Sequence, residues 1–128
     1  MEEEFRAILT ASTAVTNIAP STRINFGEHP QGAAFPAIVL NTIGDNAGHT
    51  LKGSDDLFIG RVQVDCYGMT YGAAKMLARA ARDALDAYRG GDFSAIFHSG
   101  SRDSREGGSN EAERPYRVSL DFITNWSD

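Results

Sequence analysis

The sequence predicts an α+β fold: a mainly antiparallel four-stranded sheet, one long helix packed on a face, and a short N-terminal helix. Three observations lead there. Residues 57–67 and 116–124 alternate apolar and polar side chains with the two-residue period of half-buried strands. Between 70 and 89 the apolar residues recur at helical spacing instead. The chain has 128 residues, 41 % of them hydrophobic, which suits one modest core; no linker divides it, so residues 1–128 are read as a single domain.

The elements follow in order. Phe5, Ile8 and Leu9 share a helix face, and Glu2, Glu3 and Glu4 sit where a helix N-terminus favours negative charge, so a short helix is expected from Glu2 to Ala11. Val15 and Ile18 anchor a connector that Pro20 stops. Thr22–Phe26 reads as a short strand, and Gly27–Phe35, with Pro30 and Gly32, as a loop. Ala37–Ile43 is nearly continuous in apolar residues, the mark of a strand buried on both faces. Gly44–Asp56 carries three glycines and reads as a long loop or hairpin tip.

Leu57–Tyr67 is the clearest strand, with Val62, Val64 and Cys66 on one face and Arg61, Gln63, Asp65 and Tyr67 on the other. Thr70 is placed to cap the long helix, whose apolar stripe runs through Ala73, Ala74, Leu77, Ala81, Ala84, Leu85 and Tyr88. Gly90 and Gly91 are expected to stop it in the left-handed conformation. Phe93–His98 reads as a strand. Gly100–Arg114 is rich in Ser, Gly, Arg and Glu without an apolar anchor, and is expected to be a loop that partners order. Tyr116–Thr124 is the last strand.

Side-chain chemistry suggests an antiparallel register with Gln63 opposite Ser119. Arg61 then faces Asp121 and Asp65 faces Arg117, while Val62 meets Leu120, Val64 meets Val118 and Cys66 meets Tyr116. A parallel pairing would set Arg61 beside Arg117. Two hairpins, with the helix as a crossover, order the strands as those beginning at Ala37, Leu57, Tyr116 and Phe93. The expected core is Val62, Val64, Leu77, Ala81, Leu85, Val118, Leu120 and Phe122.

Charge and composition narrow the function. A net charge of −5 argues against a dominant nucleic-acid surface, which needs clustered Lys and Arg. One cysteine, Cys66, rules out an intramolecular disulfide and is expected in the core. The acidic start lacks the basic and apolar regions of a secretory signal, and no apolar run approaches a membrane span, so a soluble chain is expected with no membrane association. His29, His49 and His98 have no metal-ligand spacing. Asp65 and Asp121 are expected in ion pairs, not as an acid–base couple, and neither Gly90-Gly91 nor Gly107-Gly108 has the context of a phosphate loop. No catalytic residue, metal ligand or cofactor is therefore assigned. Trp126 is expected to pack on the fold, an interface anchor being the alternative.

Phe35-Pro36-Ala37-Ile38-Val39-Leu40, then Arg61-Val62-Gln63-Val64-Asp65-Cys66-Tyr67 running straight into an Ala-rich helix, then Tyr116-Arg117-Val118-Ser119-Leu120-Asp121-Phe122 form an ordered set. With the N-terminal helix it resembles the tail-terminator, or tail-completion, proteins of long-tailed bacteriophages and gene transfer agents, over nearly the whole chain. The resemblance implies a structural virion protein of the tail or neck, assembled in the bacterial host cytoplasm and not an enzyme. Such proteins form a homo-oligomeric, hexameric ring on the head-proximal end of the tail tube. The ring ends polymerisation of the tail tube protein and meets a head-completion or stopper protein, and DNA passes through its lumen without sequence-specific binding. A heterologous interface of this kind closes when its rotation closes. On that expectation Lys75, Arg79 and Arg82, on the outer face of the long helix, are candidates for the ring interface. Asp45, His49, Lys52, Asp55, Arg102, Arg105 and Glu106 are candidates for docking loops, a plain solvated loop being the other reading. Another neck protein, a connector or stopper, is the alternative in the same class. A small α+β enzyme or ligand-binding domain is the alternative from a different class, and it lacks a clustered polar constellation.

Overall fold

A computed structural model describes residues 2–27, 34–45, 57–91, 93–105 and 115–127. Helix α1 (Glu2–Ala11) and a one-turn helix α2 (Thr13–Thr16) lead through a 3-10 turn (Ser21–Arg23) into β1 (Ile24–Phe26). Then follow β2 (Ala37–Asp45), β3 (Leu57–Gly68), α3 (Tyr71–Leu85), β4 (Tyr88–Gly90), β5 (Phe93–Arg105) and β6 (Tyr116–Ser127).

The sheet has six strands in the order β1-β2-β3-β6-β5-β4. The expected order of the four long strands is its centre. The expected strand count is corrected: the short strand expected at Thr22–Phe26 is β1, which joins β2 in parallel at one edge, and β4, three residues long and too short for a periodic signal, extends the other. A single long helix is also too simple a description, since α1 shares the helical layer with α3. Phe5 of α1 meets Phe93 and Phe122 edge-on, with ring centroids 6.3 and 6.4 Å apart. All eight expected core residues are buried, and Phe5, Leu9, Ile24, Ile38, Leu40 and Ile96 join them. Each Val, Leu, Ile or Phe among them contributes about 1.5–3 kcal/mol by leaving water.

β3 and β6 are antiparallel, as expected, but the register differs by two residues. Gln63 lies opposite Asp121, Asp65 opposite Ser119, Val64 opposite Leu120 and Cys66 opposite Val118. A two-residue slip keeps every side chain on its face. β5 is longer than the expected Phe93–His98 and runs to Arg105, so Gly100–Arg105 is strand where a loop was expected. Bulges between Phe93 and Ala95 and between His98 and Gly100 break its alternation, which hides it from a period-two reading.

Helix α3 starts as expected. The Thr70 hydroxyl accepts from the Ala73 amide at 3.0 Å. Gly68 lets β3 turn directly into it: a Cβ there would lie 2.6 Å from the Ala74 nitrogen. The helix ends at Leu85, short of the Gly-Gly pair. Ala87 takes the left-handed conformation (φ +63) and its amide donates to the Ile96 carbonyl at 2.7 Å. The Asp86 carboxylate accepts from the His98 amide at 2.9 Å. These bonds to β5 offset the roughly 1–2 kcal/mol that a left-handed L-residue costs. Gly91 is left-handed (φ +55), but in the turn between β4 and β5. No helix among the described residues is long and apolar enough to cross a membrane.

Candidate assembly interface

The basic residues of α3 gather on the flank that faces β5. Lys75, Arg79 and Arg82 follow at spacings of four and three, so their heads fall on one side of the helix. With Ala78, Ser101, Val118 and Leu120 they line a groove of about 330 Å³. Its floor is apolar and belongs to the core; its rim is cationic.

The three cations divide on inspection. Lys75 is committed within the chain: its Nζ lies 3.2 Å from Asp103 Oδ2 and 5.4 Å from the centroid of the Tyr71 ring. Tyr71 also donates to Asp103 Oδ2 at 2.8 Å. The Tyr71 hydroxyl, then Lys75, hold the Asp103 carboxyl below the usual carboxylate range. In return the hydrogen bond that Lys75 donates to Asp103, then Tyr71, hold Lys75 above the usual ammonium range. Arg79 and Arg82 are exposed and make no ion pair among the described residues.

The sheet face away from α3 carries a connected polar row. Ser119 Oγ donates to Asp65 Oδ1 at 2.6 Å, and Gln63 Nε2 donates to both carboxylate oxygens at 2.9 and 3.0 Å. Arg102 donates to Asp121 Oδ2 at 2.7 Å and reaches Gln63 Oε1 at 3.5 Å. Neither expected cross-pair forms, Arg61 with Asp121 or Asp65 with Arg117, because β5 supplies Arg102 to Asp121 and Asp65 is buried against Ser119. Arg102 is thus a strand residue with a partner in its own sheet, not part of a loop. Of the other expected docking residues, Asp45 and Arg105 end β2 and β5. His49, Lys52, Asp55 and Glu106 lie outside the described residues.

A second charged surface, acidic, lies at the first turn of α1. The first turn of α1 sets Glu2 and Glu3 beside β1 and β2, along a cleft that also includes Phe26 and Thr42. Glu2 accepts from the Thr42 hydroxyl at 3.1 Å, and Glu3 is exposed. Arg6, the one cation of that cleft among the described residues, is turned to backbone carbonyls: it donates to Ile24 at 2.7 Å and Ser21 at 2.9 Å. Sequence reasoning had put these glutamates to helix capping alone. It missed Asp103 altogether, since that residue falls in the segment read as loop. A Tyr71–Lys75 spacing of four was the only available hint of that cluster.

Elsewhere among the described residues nothing gathers into a reactive group. Cys66 is fully buried between helix and sheet, and burial, then the charge of Asp65, push its thiol up. Trp126 belongs to β6 and packs against the core from its partly buried position. Among the described residues no cluster of His, Cys, Asp and Glu is arranged to hold a metal ion. The arrangement offers two surfaces of opposite sign, a cationic groove between α3 and the β5–β6 pair and an acidic first turn on α1.

Comparison with known proteins agrees with that kind of molecule. A family profile described as "Tail completion protein gp17" matches residues 3–125. The fold resembles a chain of the solved structure "Virion of native gene transfer agent (GTA) particle", with a TM-score of 0.70 and 13 % identity. That likeness covers 97 % of this chain and 92 % of the other. No curated protein matches the sequence.

Proposed function

The chain belongs to the tail completion protein gp17 family, and from that premise we propose that it is the tail terminator of a phage or gene transfer agent particle. It acts in the virion, at the head-proximal end of the tail. Six copies form a ring on the finished tube, stop addition of tail tube protein and present a surface to the head-completion or stopper protein. The work is structural, with no reaction catalysed. DNA crosses the lumen without being held, and a net charge of −5 suits a wall that does not arrest it.

The family match over residues 3–125 carries this reading. The fold it shares with a chain of the gene transfer agent virion supports it. So do the opposite charges of the α3 groove and the first turn of α1, which suit a head-to-tail contact able to close into a ring. Deleting the gene in a producing strain tests it. Tails of uncontrolled length are the expected result, with few joined to heads. Tails of normal length without heads would move the chain to a connector or stopper role. Normal particles would overturn the proposal. Negative-stain microscopy of the purified protein checks the six-fold ring.

A further inference from the structure

We propose that the groove between α3 and β5 seats the acidic first turn of α1 from a second copy, with Arg79 and Arg82 meeting that copy's Glu3 and Glu2. The inference rests on the ring reading above and names the contact that would build the ring.

The separateness of the two surfaces supplies the first reason. The basic groove lies between α3 and the β5–β6 pair, whereas Glu2 and Glu3 line a cleft with β1 and β2. A contact between unlike surfaces is heterologous, so each copy leaves one donor and one acceptor surface free until the ring closes. A contact between like surfaces would stop at a pair.

Charge supplies the second. On the basic side Lys75 is already neutralised by Asp103, leaving Arg79 and Arg82 as exposed guanidinium groups with no ion pair among the described residues. On the acidic side Arg6 is turned to backbone carbonyls, and Glu3 makes no ion pair among the described residues. Guanidinium and carboxylate match in a bidentate pair, which fixes orientation as well as attraction. DNA is the less suitable occupant. Two arginines flanked by Asp83 and Asp103 do not make the run of cations that a phosphate backbone requires. At about 330 Å³ the groove suits side-chain tips better than a sizeable buried ligand.

The test uses the full chain at low salt, where exposed pairs are least screened. Self-association is measured by sedimentation and native mass spectrometry for four proteins: wild type, R79E/R82E, E2R/E3R, and the combination of all four changes. Thermal melts confirm that each is folded. Each double variant should need about tenfold more protein to associate, as two exposed pairs of modest strength imply. The combined variant restores opposite charges across the contact and should associate nearly as well as wild type. Unchanged association in either double variant would overturn the contact while leaving the ring reading intact. So would a combined variant no better than the worse double. Loss of duplex DNA binding in R79E/R82E with association preserved would overturn it in favour of DNA. A wild type that stays monomeric at every concentration, alone or with tail tubes, would remove the ring reading itself.

Discussion

The hydroxyl of Ser119 donates to a carboxylate oxygen of Asp65 at 2.6 Å, directly across the β3–β6 pair, and both residues are almost wholly buried. Two strands thereby share one buried charge, held with help from Gln63 on the same strand. Ser119→Ala leaves that carboxylate one donor short with no room for bulk water. The expected loss is about 1–3 kcal/mol in a urea titration. A change below about 0.5 kcal/mol would mean that Gln63 alone satisfies Asp65.

That bond also explains why the register was only half legible. The apolar alternation of Val62, Val64, Leu120 and Phe122 identified the strands and their inner faces, because the pattern is the burial itself. It could not choose between registers two residues apart, since both keep the same faces inward. Charge pairing was the remaining guide, and it misled because Arg102 reaches Asp121 from β5. The two bulges of β5 interrupt its pattern, so its stretch from Gly100 to Arg105, which carries Arg102, did not enter the reckoning. The helix end was misplaced for a similar reason. Gly90-Gly91 is the stronger local stop, but tertiary bonds to β5 impose one at Ala87. On α3, the exposure of Arg79 and Arg82 was visible in the helical pattern. The commitment of Lys75 was not, because its partner lies in that same unrecognised stretch of β5.

Leu120 and Arg102 sit on opposite faces of the sheet and should behave oppositely. Leu120 is 4 % exposed beneath α3, so Leu120→Ala removes packed volume and should cost about 2–5 kcal/mol. The Arg102 side chain is 60 % exposed in its pair with Asp121, and Arg102→Ala should cost less than about 1 kcal/mol. Denaturant midpoints for the two variants, at equal m-values, check the order. Reversal of that order would mean that the sheet faces are assigned backwards.

Gly68 marks the tightest join in the fold. An added Cβ would come 2.6 Å from the Ala74 nitrogen and 3.0 Å from the Ala73 carbonyl carbon, and helix backbone cannot rotate aside as a side chain can. Gly68→Ala should push α3 away from β3 and cost about 1–3 kcal/mol. Gly72 has open space around its Cβ position, so Gly72→Ala should be neutral or stabilising by up to about 1 kcal/mol. Thermal melts of the two variants separate crowding from helix propensity.

The Lys75–Asp103 pair should tune stability with pH while leaving assembly alone. Asp103 has its carboxyl lowered on folding, so its contribution is complete above the ordinary carboxylate pKa of about 3.9 and fades as pH falls through the depressed value. Lys75 is raised, so its contribution is complete below about 10.4 and fades as pH climbs through the elevated value. Between those limits the pair is intact. With side chains 34 % and 40 % exposed, its coupling in a double-mutant cycle of Lys75→Gln and Asp103→Asn should stay below about 1 kcal/mol. Tyr71→Phe should move the Asp103 carboxyl back up toward its ordinary range, since the tyrosine hydroxyl is the larger cause of its depression. An NMR titration of the Asp103 carboxyl reads that shift, and an unmoved midpoint would return the leading part to Lys75. Because Lys75 is already paired inside the chain, Lys75→Gln should leave self-association as it is in wild type. A Lys75→Gln variant as impaired in association as R79E/R82E would instead put all three cations at the contact.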